Sequence, residues 1–240
     1  MFQRTKGHRF SSDDVVTAWV AMQHCPAPTR VLDLGCGLGS VLLHVAWCAP
    51  HSTLVGVEAQ AMSFALAREN IAHNHLGDRV SVHHGDLRDA DVLGSLGGPF
   101  DLITGTPPYF PAETATDALD EQRAFARIEY RGGIEAYVET AAQLLAADGW
   151  FVICSDADAA SRLAGVAADH QLSVRGRYVI VPRAGRPPLF AVWALRREHA
   201  APTPTVERQL TLRDEAGERT ADAKMLRAFS GFPEKDTVRR

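Results

Sequence analysis

The feature that most constrains this chain is Val31-Leu32-Asp33-Leu34 running straight into Gly35-Cys36-Gly37-Leu38-Gly39. A short apolar run stopped by closely spaced glycines reads as a buried strand feeding a tight turn. Helical spacing resumes at once over Ser40 to Cys48. Strand, glycine turn and helix in that order open a βαβ unit, so the question is whether the alternation continues.

It does. Thr53 to Glu58, Val80 to His83, Phe100 to Thr104 and Trp150 to Cys154 read as further buried strands. Ala61 to His73, Glu135 to Leu145 and Ala157 to His170 have helical spacing between or after them. Leu172 to Val181 and Leu189 to Leu195 flank a turn over Pro182 to Pro188, which predicts an antiparallel hairpin. Alternating strands and helices predict an α/β fold with a doubly wound, mostly parallel sheet. A chain of 240 residues can bury a full core without disulfide or metal staples. Residues 1–199 are expected to form one domain. Residues 200–240 open with a Pro-Thr linker, end in a weakly amphipathic stretch over Ala223 to Phe229, and are expected to pack on or extend that domain.

No apolar run is long enough to span a bilayer, and the N-terminus lacks the apolar core of a signal peptide, so the expected location is cytoplasmic, with no membrane partner. Cys25, Cys36, Cys48 and Cys154 are scattered and read as small buried hydrophobes. The pairs His73 with His75 and His83 with His84 lack helix-face ligand spacing, so no metal site is expected. The net charge of −4 argues against a polyanionic partner, but its distribution is uneven. Acids crowd Glu113 to Asp158, whereas Arg175, Arg177, Arg183, Arg186, Arg196 and Arg197 fall in a stretch with no acid. That stripe is compatible with phosphate binding and equally with a solvated hairpin face.

The glycine turn carries chemistry. Glycines there let a ligand approach the backbone, and Glu58 ends the next strand at the offset where an acid meets ribose hydroxyls. A dinucleotide site would carry a third glycine where Ser40 stands. Asp33 discriminates further, since a carboxylate repels a pyrophosphate and attracts an ammonium or sulfonium. Asp86, after the third strand, suits either an adenine amino group or the cap of the following helix. The fourth strand runs into Thr106-Pro107-Pro108-Tyr109-Phe110 at the edge where such sheets bind ligands. A side-chain acceptor and a fixed carbonyl there can draw on the two N–H groups of a planar amine, and the aromatic ring can stack on a base.

This series resembles the class I S-adenosylmethionine-dependent methyltransferases. The resemblance implies a Rossmann-like, seven-stranded sheet and S-adenosyl-L-methionine as cofactor. It also implies a cofactor site formed by Asp33, Gly35, Cys36, Gly37, Glu58 with its neighbour Ala59, Asp86 with its neighbour Leu87, and Thr106. Thr106, Pro107, Pro108 and Tyr109 are similar to the (N/D/S)-P-P-(Y/F/W) motif of enzymes that methylate amino groups of adenine, cytosine or glutamine. They are the expected catalytic segment, with Thr106 where Asn is usual.

Lys6-Gly7-His8-Arg9-Phe10-Ser11-Ser12-Asp13 resembles the N-terminal segment of the tRNA (adenine-N6) methyltransferase family, which implies that Phe10, Ser12 and Asp13 lie near the cofactor. Ser11 or Ser12 as an ordinary helix cap explains the same residues. Ala126 to Glu129 and Leu210 to Thr220 also resemble that family. The leading expectation is N-methylation of a nucleobase amine, adenine N6 in tRNA or another structured RNA. The alternatives are a small-molecule or protein side-chain amine as acceptor, and a non-catalytic, cofactor-binding partner protein. A dehydrogenase is a remote reading that nicotinamide binding would reveal.

Overall fold

The computed structural model describes residues 1–5, 9–109, 132–198 and 205–232. Lys6 to His8, Phe110, the acids from Glu113 to Glu129, the Ala126 to Glu129 stretch and the Pro-Thr linker lie outside the described residues.

The elements in chain order are α1 (Ser12–His24), β1 (Arg30–Leu34), α2 (Ser40–Cys48), β2 (Thr53–Glu58), α3 (Ala61–His73), β3 (Val80–His84), α4 (Ala90–Leu96) and β4 (Phe100–Gly105). They continue with α5 (Ile134–Leu144), β5 (Leu145–Ser155), α6 (Ala160–Asp169), β6 (Leu172–Val181), β7 (Phe190–Arg197), β8 (Val206–Thr211) and α7 (Ala221–Phe229). The strands form one sheet in the order β3-β2-β1-β4-β5-β7-β6-β8. β3 to β5 are mutually parallel across that order, and β7 is antiparallel to both β5 and β6. The predicted hairpin is therefore present, with its second strand inserted between β5 and its first.

Helices cover both faces, which is why the central strands are apolar at nearly every position. Val31 joins the core on the side of α1, α2 and α7, and Leu32 and Leu34 join the core beneath α5 and α6. Spacing decides which helix face is buried. On α5, Ile134, Tyr137, Val138 and Ala141 recur at i, i+3, i+4 and i+7 and are all buried. Leu32 is fully buried, and Leu32→Ala removes about 2–5 kcal/mol of packing.

The sheet has eight strands where seven were expected. β8 pairs in parallel with the outer edge of β6, and Leu210 is its one buried residue. Its remaining side chains are polar or exposed, so backbone pairing holds it more than core burial does. Charged contacts reinforce it: Arg177 with Glu207 at 3.0 Å and Arg208 with Asp222 at 3.0 Å. Asp222 stands in the first turn of α7, whose Leu226 docks into the core beside α1.

The arginine stripe divides on folding. Arg196 is buried, with its guanidinium donating to the carbonyl and carboxylate of Asp148, and Arg197 donates to the carbonyls of Ala142 and Leu145. Arg183 and Arg186 remain exposed in the β6–β7 turn.

Candidate functional site

β1 lies between β2 and β4, and α3, which follows β2, and α5, which precedes β5, pack on opposite faces of the sheet. The crevice at the carboxyl ends of these strands is the position where open α/β sheets bind ligands. The register brings the residues of interest together: Asp33 pairs with Thr104 and Leu34 with Gly105.

The loop after β1 is fastened to the end of β2. Gly37 N–H donates to Glu58 Oε2 at 2.8 Å, Gln60 N–H donates to Glu58 Oε1 at 2.6 Å, and Cys36 N–H donates to the Val57 carbonyl at 2.9 Å. Glu58 is thus buried under the loop and bonded to its backbone while standing at the expected ribose position. The two leading glycines differ in purpose. Gly35 has φ +60°, and a Cβ there would overlap the Tyr137 hydroxyl arriving from α5. Gly37 has φ +55°, but a Cβ there would meet nothing within 4 Å. Gly35 makes room for the protein itself, and Gly37 faces open space.

Asp33 is the electrostatic centre. It is 2% exposed; its Oδ1 accepts from Thr104 Oγ1 at 2.7 Å, and its Oδ2 is buried with no hydrogen-bond partner. Burial pushes its carboxyl up to about 7, and nearby Glu58 adds to the push. Asp14 on α1, also buried, is raised to about 7 by burial and by Asp13, with Asp33 adding to it. A buried carboxylate oxygen without a donor carries a desolvation cost of order 1–3 kcal/mol, which a cationic N–H donor would remove. The residues present thus fit a ligand bearing an ammonium group.

Asp86 is drawn to the same edge, since Gly85 N–H donates to the Glu58 carbonyl at 3.0 Å. It does not cap the following helix; Asp89 does, accepting from Asp91 N–H. Arg88 instead donates to both Asp86 carboxylate oxygens, at 2.9 and 2.7 Å. Leu87 is buried in the core, with its carbonyl accepting from Thr140 Oγ1 at 3.0 Å. Ala59 is half-buried beside Glu58.

At the end of β4, Thr106 is half-buried and Pro107 buried. Tyr109 packs on the core, donates to Asp13 Oδ2 at 3.2 Å, and lies 2.7 Å from Cys154 Sγ. Burial and the neighbouring Cys154 and Asp13 hold its phenol well above the usual range, so it stays neutral. Of the expected N-terminal contributors, Asp13 therefore meets the acceptor segment. Ser12 starts α1 and is exposed, with Ser11 as cap: Ser11 N–H donates to Asp14 Oδ2 at 3.0 Å. Phe10 stacks on His44, centroids 5.7 Å apart, and His44 in turn on Phe229.

Sequence reasoning missed four residues here: Asp14, Thr104, Tyr137 and Cys154. Asp14 had a signal, as the third residue after the cap Ser11, the capping-box position. The others reach the site only through tertiary packing.

Known proteins resemble this chain in fold and in sequence. A predicted O-methyltransferase of Agrobacterium tumefaciens superposes with a TM-score of 0.68 at 18% identity, over 91% of this chain and 96% of that one, which shows the fold alone. A tRNA1(Val) (adenine(37)-N6)-methyltransferase of Yersinia pestis is 30% identical over 203 residues, 83% of this chain and 77% of the relative. The protein of the same name from Porphyromonas gingivalis is 31% identical over 146 residues, and the match spans 60% of this chain and little more than half, 56%, of that relative. The methyltransferase small domain family matches residues 10–181. The chain belongs to that methyltransferase family.

Proposed function

We propose that this protein transfers the methyl group of S-adenosyl-L-methionine to an exocyclic amino group, adenine N6 in tRNA or another structured RNA. The observation that carries the reading is the meeting, at the shared end of β1 and β4, of a buried carboxylate with one oxygen free of hydrogen bonds and the Thr-Pro-Pro-Tyr segment. The relatives named for adenine N6 in tRNA supply the acceptor.

Asp33 Oδ2 would take the cofactor's ammonium, Glu58 the ribose hydroxyls and Asp86 the adenine amino group, with Gly37 leaving space for the chain of the ligand. When bound, the cofactor supplies an electrophilic sulfonium methyl. The protein's task is to present a nucleophile whose lone pair is delocalised into a ring. The Thr106 hydroxyl and the Pro107 carbonyl draw on the two N–H groups of the acceptor and favour a pyramidal, reactive nitrogen. The two prolines restrict the backbone that carries this carbonyl. The Tyr109 ring, tethered through its hydroxyl, offers a stacking surface worth about 1–3 kcal/mol. Alignment of the two reactants supplies much of the remaining acceleration.

The test is incubation with radiolabelled S-adenosylmethionine, separately with bulk tRNA and with a small-molecule extract. Label recovered from tRNA as N6-methyladenosine is the expected result. Label confined to the extract would replace this reading with a small-molecule amine acceptor, a reading that Thr106 in place of Asn favours.

A further inference from the structure

The sheet edge that carries Asp33 and Thr106 also carries an exposed pair of arginines. β6 is antiparallel to β7, as β5 is, so β6 runs in the direction of β1 and β4 and ends at their edge. Beyond Val181 the chain turns through Arg183-Ala184-Gly185-Arg186. The turn is closed by Arg186 N–H donating to the Arg183 carbonyl at 3.0 Å, and Gly185 takes φ +74° at the third position, as a type II turn requires. Pro187 and Pro188 then stiffen the return to β7. The turn is also anchored from outside. Ala184 N–H donates to the Arg213 carbonyl at 2.8 Å, and the Arg183 guanidinium bonds the Glu215 carbonyl.

Arg183 and Arg186 are both exposed, and among the described residues neither pairs with a carboxylate. They thus differ from Arg177 and Arg196, whose charges are met within the fold. Arg213 and Arg219 stand exposed beside the turn, but Asp214, Glu215 and Glu218 share their loop. The acid-free element is the β6–β7 turn itself. In the order β4-β5-β7-β6 it stands three strands from the acceptor segment. At the usual strand spacing that is about 14 Å.

We propose that the β6–β7 turn, through Arg183 and Arg186, docks the phosphate backbone of the RNA whose base enters at Thr106 to Tyr109. This rests on the RNA reading given above. Guanidinium groups suit phosphate because their N–H fork matches two oxygens at once. A turn already fixed by its hydrogen bonds and prolines loses little freedom on binding. The net charge of −4 makes such a local device necessary, since the protein as a whole repels a polyanion.

The test uses the full chain as wild type, the R183A/R186A pair and the charge-keeping R183K/R186K pair. Bulk-tRNA affinity is measured against salt, together with kcat, KM for tRNA and cofactor affinity. The alanine pair is expected to raise the tRNA Kd and KM about tenfold and to lower the slope of log K against log salt by about two. Cofactor affinity and kcat at saturating tRNA stay at the wild-type values, which also shows that the variant is folded. The lysine pair recovers the salt slope. Unchanged tRNA affinity and slope in the alanine pair, with a wild type that methylates tRNA, would overturn the docking role and leave the proposed function standing. A wild type that neither binds nor methylates tRNA would overturn both.

Discussion

The cofactor end and the acceptor end of this crevice are built in different ways. The glycine loop is closed by Glu58, 21 positions along the chain from the Gly37 that it holds. Tyr109 is held by Asp13 and Cys154, 96 and 45 positions away. The first is a local βαβ device, in which one turn and the next strand end suffice. The second draws on the N-terminal helix and on β5, the strand next to β4 in the sheet but distant along the chain. Local devices leave motifs in a sequence, and assembled ones leave single residues whose neighbours are unknown until the chain folds.

The comparison is sharpened most by the two glycines of the local device, because one serves the fold and the other the ligand. Gly35→Ala places a methyl group against the Tyr137 hydroxyl at positive φ. Overpacking and the left-handed backbone together cost about 3 kcal/mol, a fall in melting temperature of roughly 6–12 °C for a chain of this size. Tyr137→Phe in that background removes the overlapping oxygen and restores part of the loss. Gly37→Ala meets no protein atom, so its stability loss is limited to the backbone cost of about 1–2 kcal/mol, while cofactor affinity falls. Thermal unfolding and calorimetry on the two variants check this; equal stability losses would mean that the glycines are interchangeable.

Asp33→Asn comes next, with a cofactor affinity about thirtyfold weaker, the loss of one charge-assisted hydrogen bond. Its pH signature is more specific. With its carboxyl pushed up to about 7 in the free protein, Asp33 must give up a proton below that pH to hold a cation. Affinity should therefore rise with pH up to about 7 and then level off, and the Asn variant should show no such rise. Stability of the ligand-free protein runs the other way. A carboxyl that binds its proton more tightly folded than unfolded makes the fold less stable as pH rises from about 4 through 7. Asp14, raised to about 7 as well, contributes the same trend, so the Asn variant should lose only part of it. An unchanged pH profile of cofactor affinity in Asp33→Asn would place the cation elsewhere.

Legibility cut across the two ends: segments that mark a strand end could be read, and single residues brought in by tertiary packing could not. The glycine loop, Glu58, Asp86 and the Thr106 to Tyr109 segment stand in the sequence at strand ends, because period and turn chemistry mark where strands stop. The central strands were readable since burial on both faces demands unbroken apolar runs. β8 was not, because its Val-Glu-Arg-Gln-Leu-Thr composition offers one buried side chain and its place depends on backbone pairing with β6. Thr104 was hidden for another reason: its partner Asp33 lies 71 positions away, and only the β1–β4 register brings them together. Tyr137 reads simply as a core residue of an amphipathic helix, and nothing in its neighbours shows that its hydroxyl ends beneath Gly35.

At the acceptor end, Thr106→Ala should lower kcat about tenfold, less than the roughly hundredfold or more lost with a group that transfers a proton in the transition state, because the hydroxyl only accepts a hydrogen bond. Cofactor affinity should stay unchanged, because Asp33 and Glu58 are untouched. A parallel fall in cofactor affinity would mean that the two ends are one structure.

The smallest effect tests the assembled device directly. Tyr109→Phe keeps the ring and removes the hydroxyl that donates to Asp13 and meets Cys154. Asp13 is near the surface and water can replace the lost donor, so stability should fall by about 1 kcal/mol or less. If the hydroxyl serves to aim the ring, KM for the acceptor should rise severalfold with kcat and cofactor affinity little changed. Asp13→Asn, which keeps an oxygen for the phenol to donate to, should retain a near-wild-type KM. Cys154→Ala removes the second contact and should raise KM as Tyr109→Phe does. A Tyr109→Phe enzyme with wild-type KM would show that the tether serves packing alone, and the acceptor end would then depend on distant residues for stability without depending on them for aim.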